Sequence, residues 1–266
     1  MRAGARGAAF LAVLTFLTAP PGLGGQDLAR RASGIRDGTV RLTYPSRPEV
    51  EICDQGIRMG DHQMMWYSRG WGEEARNCRT GSVEIEARIQ DGRVRDVEVI
   101  RRSQDRTEGA EDLGTVTAQE AVDFLLDAAR TGGPSGRGEE EAVLPAVLAD
   151  VQGLWRELLE MAQDQALEKG VRTTSLFWVG QEAASVVTEG LARVAMDEEE
   201  DQDVREAAVF ALSRRPADEG VPILMEVART AREAETRESA MFWLAQSEDD
   251  RVFAFFEEIL LGGGGG

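Results

Sequence analysis

The sequence predicts a mainly α chain in which a helical solenoid follows a small β-rich domain containing a disulfide, and three observations carry that prediction. An eleven-residue phrase recurs, as VRTTSLFWVGQ from Val171, VREAAVFALSR from Val204 and TRESAMFWLAQ from Thr236. Its copies lie 33 and then 32 residues apart, a period at which one helix–turn–helix unit repeats. Upstream, VEIEARI and VRDVEVI alternate apolar and polar residues around Asp91-Gly92, the pattern of a β-hairpin with a two-residue turn. The two cysteines, Cys53 and Cys78, flank a glycine-punctuated stretch within the same β-rich part.

Residues 1–25 read as a secretory signal. Arg2 and Arg6 precede an apolar run from Ala8 to Leu17 that is too short to span a bilayer as a helix. The chain is therefore expected to be exported, to the periplasm or out of the cell, with no transmembrane segment in its mature part. In such a chain a single cysteine pair is most simply one disulfide, Cys53–Cys78. It would close a loop of 25 residues and stabilise the domain by roughly 3 kcal/mol.

The β-rich domain is placed at residues 26–110. Thr39 to Tyr44 alternates like a strand ending at Pro45, and Pro48 confines the next extended piece to an edge or a strand start. The stretch DHQMMWYSRGWGEEARN between the cysteines reads as a long loop. Its large side chains, Trp66 and Trp71 above all, suit either a partner-binding surface or the core of a small domain.

Residues 111–138 read as a connecting helix and a Gly-rich linker. Thr117 with Glu120 forms a capping box, and Val122, Leu125, Leu126 and Ala129 fall on one helical face. Residues 139–261 hold the repeats: a degenerate unit at 139–170, then 171–203, 204–235 and 236–261, with a glycine tail at 262–266. The degenerate copy, EEAVLPAVLAD, lacks the phenylalanine and carries Pro145, which is expected to kink its first helix. Leu158, Leu191, Leu224 and Phe256 correspond in the second helices, as do Met161, Val194, Val227 and Ile259. A single such unit cannot bury its apolar stripe, so stacking is required.

The order Val-Arg-x-x-small-apolar-x-x-apolar-small, in Val171, Arg172, Ser175, Leu176, Val179 and Gly180 and again from Val204 to Ser213, resembles the HEAT repeat. It is nearest the short bacterial HEAT-like units first named in phycobilisome lyases. The resemblance covers roughly residues 139–261 and implies a family made largely of protein-binding scaffolds, with a few enzymes among them. It also implies that the repeated arginine, here Arg172, Arg205 and Arg237, joins neighbouring units through acids and carbonyls. Glu168, Asp201 and Glu233, each four residues upstream, are the expected acidic partners. Phe177, Phe210 and Phe242 lie on another flank of their helices and admit two readings: packing against the adjacent unit, or an exposed aromatic ladder for a partner. Trp178 and Trp243 are expected in the core.

Charge narrows the partners. The chain carries 30 lysines and arginines against 48 acids, a net charge of −18. Residues 27–110 are balanced, with 15 arginines and 15 acids, whereas residues 111–266 hold 13 bases and 33 acids. An acidic solenoid repels phosphate backbones, which excludes nucleic acid and favours a protein with a basic or apolar surface. His62 is the single histidine and stands beside no nucleophile signature, so no catalytic residues, metal ligands or cofactor are expected. The His-Glu pairs that hold iron in deoxyhypusine hydroxylase, an enzyme of HEAT-like build, do not occur. The acidic run from Asp197 to Asp203 lacks the order and central glycine of a calcium loop and reads as a solvated turn.

The expected function is thus a non-catalytic, exported scaffold that mediates protein–protein interaction in the cell envelope. One alternative is an accessory or chaperone-like protein resembling the phycobilisome lyases, which would guide a tetrapyrrole onto a partner. Another is self-assembly into a homodimer through the last helix, Arg251 to Leu261, where Phe253, Phe255, Phe256, Ile259 and Leu260 meet no polar capping unit. An uncapped end is equally what a truncated longer solenoid would show.

Overall fold

The computed structural model describes residues 28, 30–32, 34–54, 56–59, 77–131, 138–181 and 186–262. The signal, His62, Trp66, Trp71 and the tail from Gly263 lie outside these residues. Among the described residues, β1 (Gly38–Pro45), β2 (Val50–Cys53), β3 (Gly56–Met59), β4 (Cys78–Thr80), β5 (Ser82–Gln90), β6 (Arg93–Val99) and β7 (Glu111–Thr115) form two sheets. The larger has the order β6-β5-β1-β7, antiparallel except for the β1–β7 pair, and the smaller has the order β3-β2-β4.

Alternation along β1 and β5 gives the larger sheet two unlike faces. Val40, Leu42, Tyr44, Val83, Ile85, Ala87 and Ile89 are buried on one. Arg41, Glu84 and Glu86 project from the other. At the hairpin, Asp91 and Gly92 both take positive φ, 54° and 72°, which matches the twist that a two-residue connection between β5 and β6 requires. Their N–H groups donate to Asp37 Oδ1 and to the Arg36 carbonyl, at 3.0 and 2.8 Å. β7 carries the sheet to Thr115, past the boundary placed at residue 110; its short run, interrupted by Gly114, offers little alternation to read.

On the polar face, Glu86 is 6% exposed. Its carboxylate accepts Arg41 Nε and Nη2 at 2.9 and 2.5 Å and the Thr107 N–H at 3.0 Å, so the segment after β6 is held down on the sheet. Burial alone would push this carboxyl up. The bonds from Thr107 and Arg41 outweigh it and hold the group below its ordinary range. In the smaller sheet, Cys53 and Cys78 face one another across β2 and β4 and form a disulfide that clips both ends of the intervening excursion.

Nine helices follow among the described residues: α1 (Ala118–Thr131), α2 (Gly138–Leu148), α3 (Trp155–Gln163), α4 (Lys169–Gly180), α5 (Val186–Ala195), α6 (Gln202–Ser213), α7 (Ala217–Thr230), α8 (Ala234–Ala245) and α9 (Asp250–Gly262). The capping box of α1 is formed, with the Glu120 N–H on Thr117 Oγ1 at 3.2 Å and the Thr117 N–H on Glu120 Oε2 at 2.8 Å. The first helices of the units, α2, α4, α6 and α8, pack side by side in one layer, and α3, α5, α7 and α9 form the second. Each of α3, α5 and α7 packs most closely on the first helix of the following unit. α1 lies against α2 in the same way and also touches β1 and β6, so it occupies the place of a preceding second helix. The sheet, through β5 and β6, covers the remaining side of α2.

Two close approaches fix the stacking. A Cβ on Gly180 would come 2.9 Å from Ala211 of α6, and one on Gly220 would come 2.4 Å from the Leu212 carbonyl oxygen. α2 runs through Pro145 and ends three residues later. Its final carbonyls are taken up by β1 and the residues after it: the Tyr44 hydroxyl donates to the Pro145 oxygen at 2.7 Å, and the Arg47 N–H to that of Leu148 at 3.0 Å. The Asp150 N–H returns a bond to Pro45 at 3.1 Å. Sheet and helices therefore share one apolar core, continuous from Leu28 to Phe255.

Two outcomes are expected. Tyr44→Phe strands the buried Pro145 carbonyl and costs about 1–3 kcal/mol, read from urea denaturation. Glu86 has a folded pKa below its unfolded one, so its contribution is complete above the unfolded value and is lost as pH falls through the folded value. Urea midpoints measured from neutral to acid pH will fall less steeply in Glu86→Gln than in the parent chain.

Candidate functional site

Arg172, Arg205 and Arg237 occupy the same place in α4, α6 and α8. Their backbone N–H groups donate to the carbonyls of Glu168, Asp201 and Glu233, at 3.2, 3.0 and 3.2 Å. Those acids stand at the N-caps and serve through their main chain, while the guanidiniums turn elsewhere. Arg172 Nε donates to the Ala162 carbonyl at 3.0 Å and Nη2 pairs with the Glu200 carboxylate. Glu200 Oε1 also accepts the Asp201 N–H, at 2.7 Å. Arg205 Nη1 donates to the Glu200 carbonyl, and its Nε to Thr236 Oγ1 at 3.2 Å. Arg237 closes the series on the carbonyls of Ala231 and Arg232, at 2.8 and 2.6 Å.

The chain Arg172–Glu200–Arg205–Thr236 thus runs through three successive units. Arg172, Glu200, Arg205 and Thr236 are all buried, whereas the other residues from Asp197 to Asp203 are exposed. A pair so buried is fixed by geometry, because either charge alone in that place would be left without solvent or counter-charge. A third buried arginine, Arg215, donates to the Thr188 hydroxyl at 3.1 Å and to Glu219 at 2.7 Å, tying α5 to the start of α7. It has no counterpart one period away, so the repeat gave no signal for it.

The phenylalanines form a row along the first-helix layer. Phe177 and Phe210 stack with centroids 6.0 Å apart and planes within 8°. Phe210 meets Trp243 at 4.9 Å, and Trp243 meets Phe242 edge-on at 5.0 Å. Trp178 stands edge-on to Phe177 at 5.1 Å. Trp178 is buried and Trp243 is only half-buried, since no later first helix lies over α8 among the described residues. Phe177 and Phe210 are half-buried, and Phe242 is 57% exposed. Both readings of these rings therefore hold in part: each packs on its neighbour and keeps an outer edge in solvent. One helical turn before them lie Glu206 and Glu238, with Asp203 and Glu235 a further turn back.

The α6–α7 pair lies at the middle of this row. The PBS lyase HEAT-like repeat family model matches residues 204–230. That pair is a HEAT-like repeat. Repeats of this type generally mediate protein interaction. The units on either side carry the same arginine and phenylalanine at 33 and 32 residues. No curated protein matches the chain. Among the described residues no helix is long and apolar enough to cross a membrane. Glu51, Cys53 and Cys78 bring three metal-ligand atoms together, but the two sulfurs are bonded to each other.

The polar chain predicts a strongly non-additive pair. Glu200→Ala leaves Arg172 buried without its counter-charge and costs about 3–5 kcal/mol. Replacing Arg172 and Glu200 together by leucine is expected to cost less than the sum of the single changes, as a double-mutant cycle in urea will show.

Proposed function

We propose that the chain is a non-catalytic, exported scaffold of the cell envelope whose HEAT-like solenoid binds another protein along the outer row of α4, α6 and α8. The observation that carries this reading is the unbroken run of rings from Phe177 through Phe210 and Trp243 to Phe242, partly solvated across three units. Aromatic side chains exposed in a line supply large contact area at small entropic cost, the usual source of binding energy at protein interfaces. The acidic row beside them selects the partner. Glu206, Glu235 and Glu238 favour a segment that presents basic side chains next to apolar ones and speed its approach at low salt, while Asp203 is already paired with Lys169. Export is supported by the charged and apolar start of the sequence together with the Cys53–Cys78 disulfide, which persists in oxidising compartments. Self-association at the last helix would share Phe242 and Trp243 with this row, so it would compete with a partner at the α8 end.

The test is capture from an envelope extract with two immobilised baits, the parent chain and a variant with Phe177, Phe210 and Phe242 changed to alanine. A partner retained by the parent and lost by the folded variant supports the reading, and its retention should weaken as salt rises. Equal recovery on both baits overturns it, and loss of the helical circular dichroism signal would assign the rings to packing.

A further inference from the structure

Helix α9 is covered differently from the second helices before it. In α5, Thr188, Leu191 and Ala195 are at most 6% exposed, and in α7 their counterparts Val221, Leu224 and Ala228 are at most 4%. The same repeat positions in α9 are Phe253, Phe256 and Leu260. Phe253 is 70% and Leu260 79% exposed, with Phe256 half-buried. The cause lies in the stacking rule: α6 lies over α5 and α8 over α7, while no first helix lies over α9 among the described residues. Helix α8 presents Phe242 and Trp243 on its outer edge, uncovered by any first helix among the described residues. The open end therefore holds a second helix without its cover and the outer edge of a first helix that already covers α7.

We propose that a second copy of this chain closes that face in a twofold contact, with α8 of each copy lying over α9 of the other. Such an arrangement lays the aromatic edge of each α8 over the uncovered apolar row of the other copy's α9. It is also the arrangement that closes. Head-to-tail stacking needs an open face at the start of the solenoid, and there the sheet and α1 already cover α2. The area suffices. With about 150–250 Å² per aromatic side chain, the uncovered parts of Phe242, Trp243, Phe253, Phe256 and Leu260 leave roughly 450 Å² of apolar surface per copy. Two copies would bury about 900 Å², and since about 60% of an interface is apolar, the whole contact reaches about 1,500 Å², the range of a specific complex.

Sedimentation equilibrium of the full chain, over roughly 1 to 100 µM to bracket a micromolar contact, tests this. The expected result is a mass rising to twice 29.0 kDa and no further. Phe253→Glu and Leu260→Glu change exposed side chains, so helical content should stay unchanged while the mass stays that of one chain throughout. A parent chain that remains single over the range, or variants that still pair, would overturn the proposal. So would species that keep growing beyond two chains.

Discussion

The apolar side of α5, with Val187, Leu191, Val194 and Ala195, is dry because α6 lies across it, and that of α7 is dry because α8 does. No helix pair among the described residues supplies its own cover. The constraint sets the architecture: units must repeat at a fixed period so that each arriving first helix meets the preceding second helix in register. Small residues at the crossings follow from it. Gly180 and Gly220 let backbones approach to distances at which any Cβ would collide with Ala211 or with the Leu212 carbonyl. Burial by the neighbour also dictates that stability is shared between units, so that loss of one cover exposes the apolar stripe of the unit before it.

Stacking helices this way creates a polar problem at their ends, and the arginines resolve it. The last carbonyls of a second helix have no partner within the helix. Ala162 at the end of α3, Asp197 and Glu200 after α5, and Ala231 and Arg232 after α7 all receive guanidinium N–H groups from the first helix that follows. A planar group with five donors spread over three nitrogens can bond a carbonyl behind it and a carboxylate or hydroxyl ahead of it in one fixed geometry, whereas a lysine offers its three donors from a single nitrogen. Glu200 completes the arrangement by serving twice, its side chain to Arg172 and its main chain to Arg205.

The repeat, the hairpin and the disulfide could be read from the sequence because each is signalled by spacing: 33 residues for a unit, two for a pleat, one pair for a bridge. What spacing does not show is contact between positions that are not periodic neighbours. Glu200 lies 28 residues from Arg172 within a run of seven polar residues, and nothing in that run marks it as the buried member. Arg215 is equally hidden, because its partners Thr188 and Glu219 belong to different units and recur nowhere else. The role of α1 escaped for another reason. Its face was legible, but a helix between a sheet and a solenoid reads as a connector until contacts place it as one more second helix. Trp66 and Trp71 lie outside the described residues.

The two ends of the stack differ in a way that also shapes its outer row. At the start, β1 and the residues after it take up the carbonyls of α2 through Tyr44 and Arg47 and lay a dry sheet face against it, so the first unit is buried as completely as an internal one. At the other end no first helix covers α8 and α9 among the described residues, and the effect is graded along the phenylalanines. Phe177 is shielded by Phe210 and Phe210 by Trp243, whereas Phe242 has only Trp243 of its own helix and stands 57% exposed. The exposure of the row is therefore set by the next unit rather than by the ring itself. A surface built this way joins its binding edge to its open end, and whatever covers α8 and α9 will alter how much of Phe242 remains for a partner to touch.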